Sequence, residues 1–165
     1  MAATKFLDAI ARMPGCDGED SDAMSAYTQV KLDEIESFLG KGHDWVDTWV
    51  SLPRAKIPDR FLHMKDPVCP LKRNLYGHKL AGFLWQKYCE HIIVNVLKFE
   101  KLNSWECLYF HREKHFFLSV YVDDLKMAGK KENLAPMWKA MRDHMDLEDP
   151  KRCGITNIWD AHRNR

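Results

Sequence analysis

The chain has 165 residues, one domain's length, and 45% hydrophobic content with six Trp and eight Phe suffices for a core, which excludes a disordered segment. Its 25 Lys and Arg against 24 Asp and Glu leave a formal charge of +1, so no global field draws it to nucleic acid or an anionic membrane, and any such binding has to be local. Five widely spaced cysteines without a Cys-x-x-Cys pair point to reduced thiols, hence to a cytoplasmic or nuclear location.

The first expected element is a helix over residues 4–13, with Phe6, Ile10 and Met13 inward and Pro14-Gly15 as its stop. Asp8 and Arg12 break its apolar character too early for a signal peptide. The acidic run from Gly15 to Asp22 fails the calcium-loop pattern, because Asp22 and Thr28 stand where Gly and Glu belong, and it reads as a solvated loop. Asp22 is then either a helix N-cap or the end of a strand. A short helix follows through Ile35, Phe38 and Leu39 to Gly40.

From Asp44 to Pro70 the four prolines predict a loop with short strands around Val46 to Leu52 and Val68 to Leu71, anchored by Trp45, Trp49 and Phe61. Beyond the Tyr76-Gly77 turn, Ala81, Leu84, Trp85, Tyr88, Ile92 and Val96 form one helical apolar stripe. The aliphatic run Ile92 to Leu97 is far short of the roughly 20 residues of a membrane span, so no membrane association is expected. Cys107, His111 and His115 have a zinc-like spacing but no fourth ligand in reach, and read as structural.

Trp105 to Phe110 predicts a strand that turns through His111-Arg112-Glu113-Lys114 into Phe116-Phe117-Leu118-Ser119-Val120-Tyr121-Val122-Asp123-Asp124-Leu125-Lys126-Met127-Ala128-Gly129. This stretch reads as two strands with Asp123 and Asp124 at the tip of their turn. Alternation places Phe116, Leu118, Val120 and Val122 on one face, and Phe117, Ser119 and Tyr121 on the other. Adjacent carboxylates repel unless a cation sits between them, so a divalent metal bound through oxygen is the direct chemical use. A solvated Asp-Asp turn is the alternative. A last helix spans Asn133 to Met145, with Leu134, Met137, Trp138, Met141 and Met145 inward.

Three of these stretches carry a resemblance. Tyr121-Val122-Asp123-Asp124 resembles the catalytic box of reverse transcriptases. Asp22 with Ala26 and Tyr27, four and five residues on, is similar to the first metal-binding block of copia-class enzymes. Leu75-Tyr76-Gly77, then Ala81 and Trp85, resembles a third block of that class. The blocks occur in the family's order over Asp22 to Pro150, so the chain is similar to the copia-type reverse transcriptase of a retrotransposon Pol polyprotein.

That resemblance implies an α+β palm, a small antiparallel sheet with helices packed on one face, over residues 1–150, with fingers and thumb largely missing and an irregular tail over 151–165. It implies that Asp22, Asp123 and Asp124 bind two magnesium ions and catalyse RNA-directed DNA synthesis. Tyr27 would exclude a ribose 2′-hydroxyl, and Tyr76 and Gly77 would border the nascent base pair. RNA template, DNA primer and dNTP are the implied partners. The other class that fits is a non-catalytic palm remnant, a weak nucleic-acid or protein interaction module that associates through exposed apolar surface.

Overall fold

The computed structural model describes residues 2–40 and 47–153. In chain order these form α1 (Ala2–Ala11), β1 (Cys16–Asp22), α2 (Ala26–Gln29), a 3-10 turn at Leu32–Glu34, α3 (Ile35–Leu39), β2 (Trp49–Ser51), β3 (Val68–Pro70) and α4 (Ala81–Glu90). After a π-helical turn at His91–Val96 come β4 (Glu100–Lys101), β5 (Leu108–His111), β6 (Phe116–Tyr121), β7 (Asp124–Lys130), α5 (Lys131–Arg142) and β8 (Lys151–Arg152). Trp45, Val46 and residues 154–165 of the expected tail lie outside the described residues. The chain divides into two compact units, one of residues 1–26 and 89–165, the other Tyr27–Tyr88.

The first unit is built on an antiparallel sheet of order β4-β5-β6-β7-β1-β8. The hairpin forms where its alternation predicts it, with Tyr121 paired to Asp124 and Phe116 to Gly129. The alternation ends at Tyr121, because Val122 lies in the turn at φ 56°, a conformation strained for a β-branched residue.

The acidic run from Gly15, expected as a solvated loop, is instead the interior strand β1, paired with β7 from Cys16↔Lys130 to Asp22↔Asp124. A strand this polar persists because its side chains are answered individually. Buried Asp17 accepts from the Gly18 amide at 2.9 Å and from the Arg152 guanidinium, whose Nε lies at 2.8 Å. The Ser21 hydroxyl donates to the Glu148 carbonyl at 2.8 Å. On its other edge β1 pairs with Lys151 and Arg152, so the expected irregular tail begins as a strand.

Residues paired across an antiparallel ladder share a face. One face therefore carries Gly18, Asp20, Asp22, Asp124, Lys126, Ala128, Phe117 and Leu108. On it α1 packs, with Leu7 fully buried against Leu108 and Ala128, and Phe6 edge-on to Phe117 at 5.0 Å and Trp105 at 5.7 Å. Met13, expected inward, lies beyond the end of α1 and is exposed. The opposite face carries Leu118, Leu125 and Met127, all fully buried. It is covered by α5, which abuts β7 and β1 with Leu134, Met137, Trp138 and Met141 inward. Helices thus flank both faces rather than one, because alternation buries apolar residues on each side of β6 and β7.

In the second unit Val30, Leu32, Ile35, Ala81, Leu84 and Trp85 are buried. β2 and β3 form where short strands were expected and pair with each other, but Trp49 and Phe61, expected as packing anchors, are exposed. The expected helical stripe runs through α4 and then changes phase. At the π-helical turn, which gains a residue per turn, Ile93 and Leu97 are buried while Val96 faces out.

Candidate functional site

Asp22 ends β1 and Asp124 begins β7, and the register sets them directly opposite each other on the face that α1 shares. Asp123 sits in the two-residue turn between Tyr121 and Asp124, and its carbonyl accepts the Ala23 amide at 2.8 Å, tying the end of β1 to the hairpin tip. Asp124 is raised above its ordinary carboxylate pKa, first by burial, then by the charges of Asp123 and Asp22, its closeness to the Asp22 carboxyl and the charge of Asp20. Asp22 is therefore a strand end and not a helix cap, since the next helix begins only at Ala26.

A cavity of about 810 Å³ opens on this face, lined by Thr4, Lys5, Asp20, Asp22, Asp124 and Lys126 among others. Lys126 is its best-held cation, at 2.6 Å from Asp8 of α1 and 3.7 Å from Asp20. Burial works against its charge, but the Asp8 hydrogen bond and the neighbouring anions outweigh it and raise its pKa. The Cys153 thiol lies 3.1 Å from Asp20 and is pushed up to about 12, chiefly by burial, so it stays protonated beside these carboxylates.

The donor set is all carboxylate oxygen, the chemistry that suits magnesium. Two carboxylates set opposite each other repel unless a cation lies between them, so Asp22 and Asp124 fit such an ion. Among the described residues no three His, Cys, Asp or Glu side chains are grouped to hold a metal, and Asp123 acts on Asp124 through its charge.

Tyr27, Tyr76 and Gly77 belong to the second unit. Tyr27 and Tyr76 pack ring to ring at 4.6 Å, tilted by 43°. Gly77, at φ 90° with open space around it, allows the turn closed by the His78 amide on the Leu75 carbonyl. The turn is pinned by buried Asn74, whose Nδ2 donates to the Ala81 carbonyl at 3.0 Å and whose Oδ1 accepts the Leu75 amide at 2.9 Å.

Asn74, Asp20 and Lys126 carry weight that sequence reasoning missed. Asn74 had a usable signal, a polar residue directly before a Tyr-Gly turn. Asp20 and Lys126 had none, because only pairing brings residues 106 positions apart face to face.

No family model matches the chain. It is 26% identical over 76 residues, 46% of its length, to the Transposon Ty1-DR4 and Ty1-DR6 Gag-Pol polyproteins of Saccharomyces cerevisiae, and the match spans 5% and 4% of theirs. Among solved structures it is similar to a telomerase from Candida albicans in complex with a fragment of telomeric RNA, at a TM-score of 0.47 and 10% identity, covering 94% of this chain and 30% of that one. Among the described residues no helix is long and apolar enough to cross a membrane.

Proposed function

We propose that this chain carries the palm of a copia-type reverse transcriptase and takes part in RNA-directed DNA synthesis. The observation that carries the reading is the register that sets Asp22 opposite Asp124, bringing acids of two distant blocks to one end of the sheet, with Asp123 in the adjoining turn. The similarity to Ty1 Gag-Pol polyproteins supports the same reading. In it Asp22, Asp123 and Asp124 hold magnesium, which would acidify a primer 3′-hydroxyl and stabilise the charge at phosphorus as pyrophosphate leaves.

The chain's own residues prepare for this. The β1/β7 ladder fixes the spacing of Asp22 and Asp124, and Asp123 follows the strained Val122 in the turn before Asp124. Tyr27 is assigned to exclude a 2′-hydroxyl, and Tyr76 with Gly77 to border the nascent base pair. RNA template, DNA primer and dNTP are the partners of this reading.

The second reading, a non-catalytic palm remnant, is favoured by the absence of a ready three-residue metal group among the described residues. Primer extension on an RNA template with magnesium or manganese separates the two. The native chain is expected to extend the primer, and Asp123→Asn and Asp124→Asn to abolish extension. Both cations should also raise the native melting temperature and leave that of Asp124→Asn unchanged. A folded native chain with neither extension nor a cation-dependent melting shift leaves the remnant.

A further inference from the structure

In the intact fold the face that carries Asp22 and Asp124 is partly occupied by the chain itself. Helix α1 lies over Gly18, Phe117 and Ala128, and its first turn, through Thr4 and Lys5, forms a wall of the cavity that also holds Asp20, Asp22 and Asp124. The approach at Gly18 is close, since a Cβ there would lie 2.8 Å from that of Ala11. Asp124 and Ala128 are four strand residues apart, about 13 Å, which is less than the width of a nucleic-acid duplex. A duplex that reached the aspartates along this face would need the ground α1 covers.

The polar tie of α1 to the sheet is informative. Asp8 offers Lys126 an anionic oxygen at 2.6 Å, as a backbone phosphate would, and Lys126 lies on the same face as Asp124, two residues on. Its neighbour Asp20, at 3.7 Å, is too distant to satisfy the ammonium alone. Were α1 to leave, Lys126 would lose its shorter anionic contact and keep only the longer ion pair to Asp20, next to the aspartate pair.

We propose that α1 is an autoinhibitory cover of the aspartate face, latched by Asp8 on Lys126, and that Lys126 exchanges Asp8 for a phosphate of a primer–template duplex when the cover is displaced. This inference rests on the reverse-transcriptase reading. It adds a phosphate-binding residue and a closed state to it.

The test uses the full chain and an RNA template annealed to a DNA primer. Fluorescence anisotropy gives the affinity, and amide hydrogen exchange over Ala2–Ala11 follows the cover. Asp8→Asn is expected to bind roughly 5- to 10-fold more tightly than the native chain. Adding Lys126→Met to it should remove the gain, and duplex should speed exchange of α1 in the native chain. Phe6→Ala, which loosens α1 through its ring contacts and touches no charge, serves as the second variant and should also bind more tightly. Equal binding by the native chain and both variants, or slower exchange of α1 on adding duplex, overturns the inference and leaves the polymerase reading standing. No binding by any version, with α1 exchanging faster in Asp8→Asn and the chain folded, removes both.

Discussion

Gly129→Ala probes the register on which the aspartate site depends. A Cβ at residue 129 would lie 2.3 Å from Phe116 Cβ, 2.6 Å from Phe116 Cα and 2.7 Å from the His115 carbonyl oxygen. Carbon atoms in contact sit about 3.5–4.0 Å apart, so the overlap exceeds about 1 Å. Two of the three neighbours are backbone, and no rotamer change relieves them. The strands of the hairpin have to part, at a cost of about 3 kcal/mol or more. With a urea slope of about 2 kcal/mol per M, the unfolding midpoint falls by about 1.5 M. Gly15→Ala is the control, because nothing lies within 4 Å of a Cβ there and φ is +75°, so its cost of about 1–2 kcal/mol is purely conformational. Urea titration of the three proteins by circular dichroism reads the difference. A midpoint for Gly129→Ala within about 0.25 M of native, or about 0.5 kcal/mol, would mean that residue 129 does not face Phe116. The pairing of Asp22 with Asp124 would then fall too, since β7 carries both registers.

Two further outcomes are expected. Trp138 is buried with no hydrogen-bond partner for its indole N–H among the described residues, so Trp138→Phe should cost no more than about 1 kcal/mol, against about 3–5 kcal/mol for Trp138→Ala, in the same titration. Equal costs for the two would show that the N–H is satisfied. Asp17 is held below the usual carboxylate range, first by its hydrogen bond to Arg152 and against the opposing effect of burial. A depressed pKa stabilises the fold above the unfolded value of about 3.9 and loses that contribution as pH falls through the folded value. Arg152 is largely exposed, which screens the pair, so Arg152→Ala should lower stability only modestly at pH 7. The gap from native should close in acid below the ordinary carboxylate range; a gap that stays constant with pH refutes the pairing.

The hairpin was legible because its first strand combines β-branched and aromatic residues with alternation, and because apolar residues resume directly after the two aspartates. α5 was legible too, because its four inward residues follow helical spacing, and so was the Leu75 to His78 turn, where Gly77 needs a positive φ. β1 was not legible. Cys16 to Asp22 contains one apolar residue, and local propensity favours a loop. Its backbone is nonetheless committed to the ladders of β7 and β8, and Asp17, Asp20 and Ser21 each find a partner supplied by a different part of the chain. The change of phase after Glu90 was equally hidden, since one extra residue in a helical turn leaves the composition of the stripe untouched.

The sequence by itself determined the aspartate hairpin, the short helices and strands between Ile35 and Pro70, and the set of acids to watch. Those are consequences of period and turn chemistry, which act over a few residues. Tertiary structure alone decided that Asp22 ends a strand, that it faces Asp124, that Lys126 and Asp20 join the cavity, and that α1 lies across the same face. Each of those depends on pairing or packing between residues some 100 positions apart. A side chain's partner at that range is set by the register of the sheet, and register is a property of the whole fold.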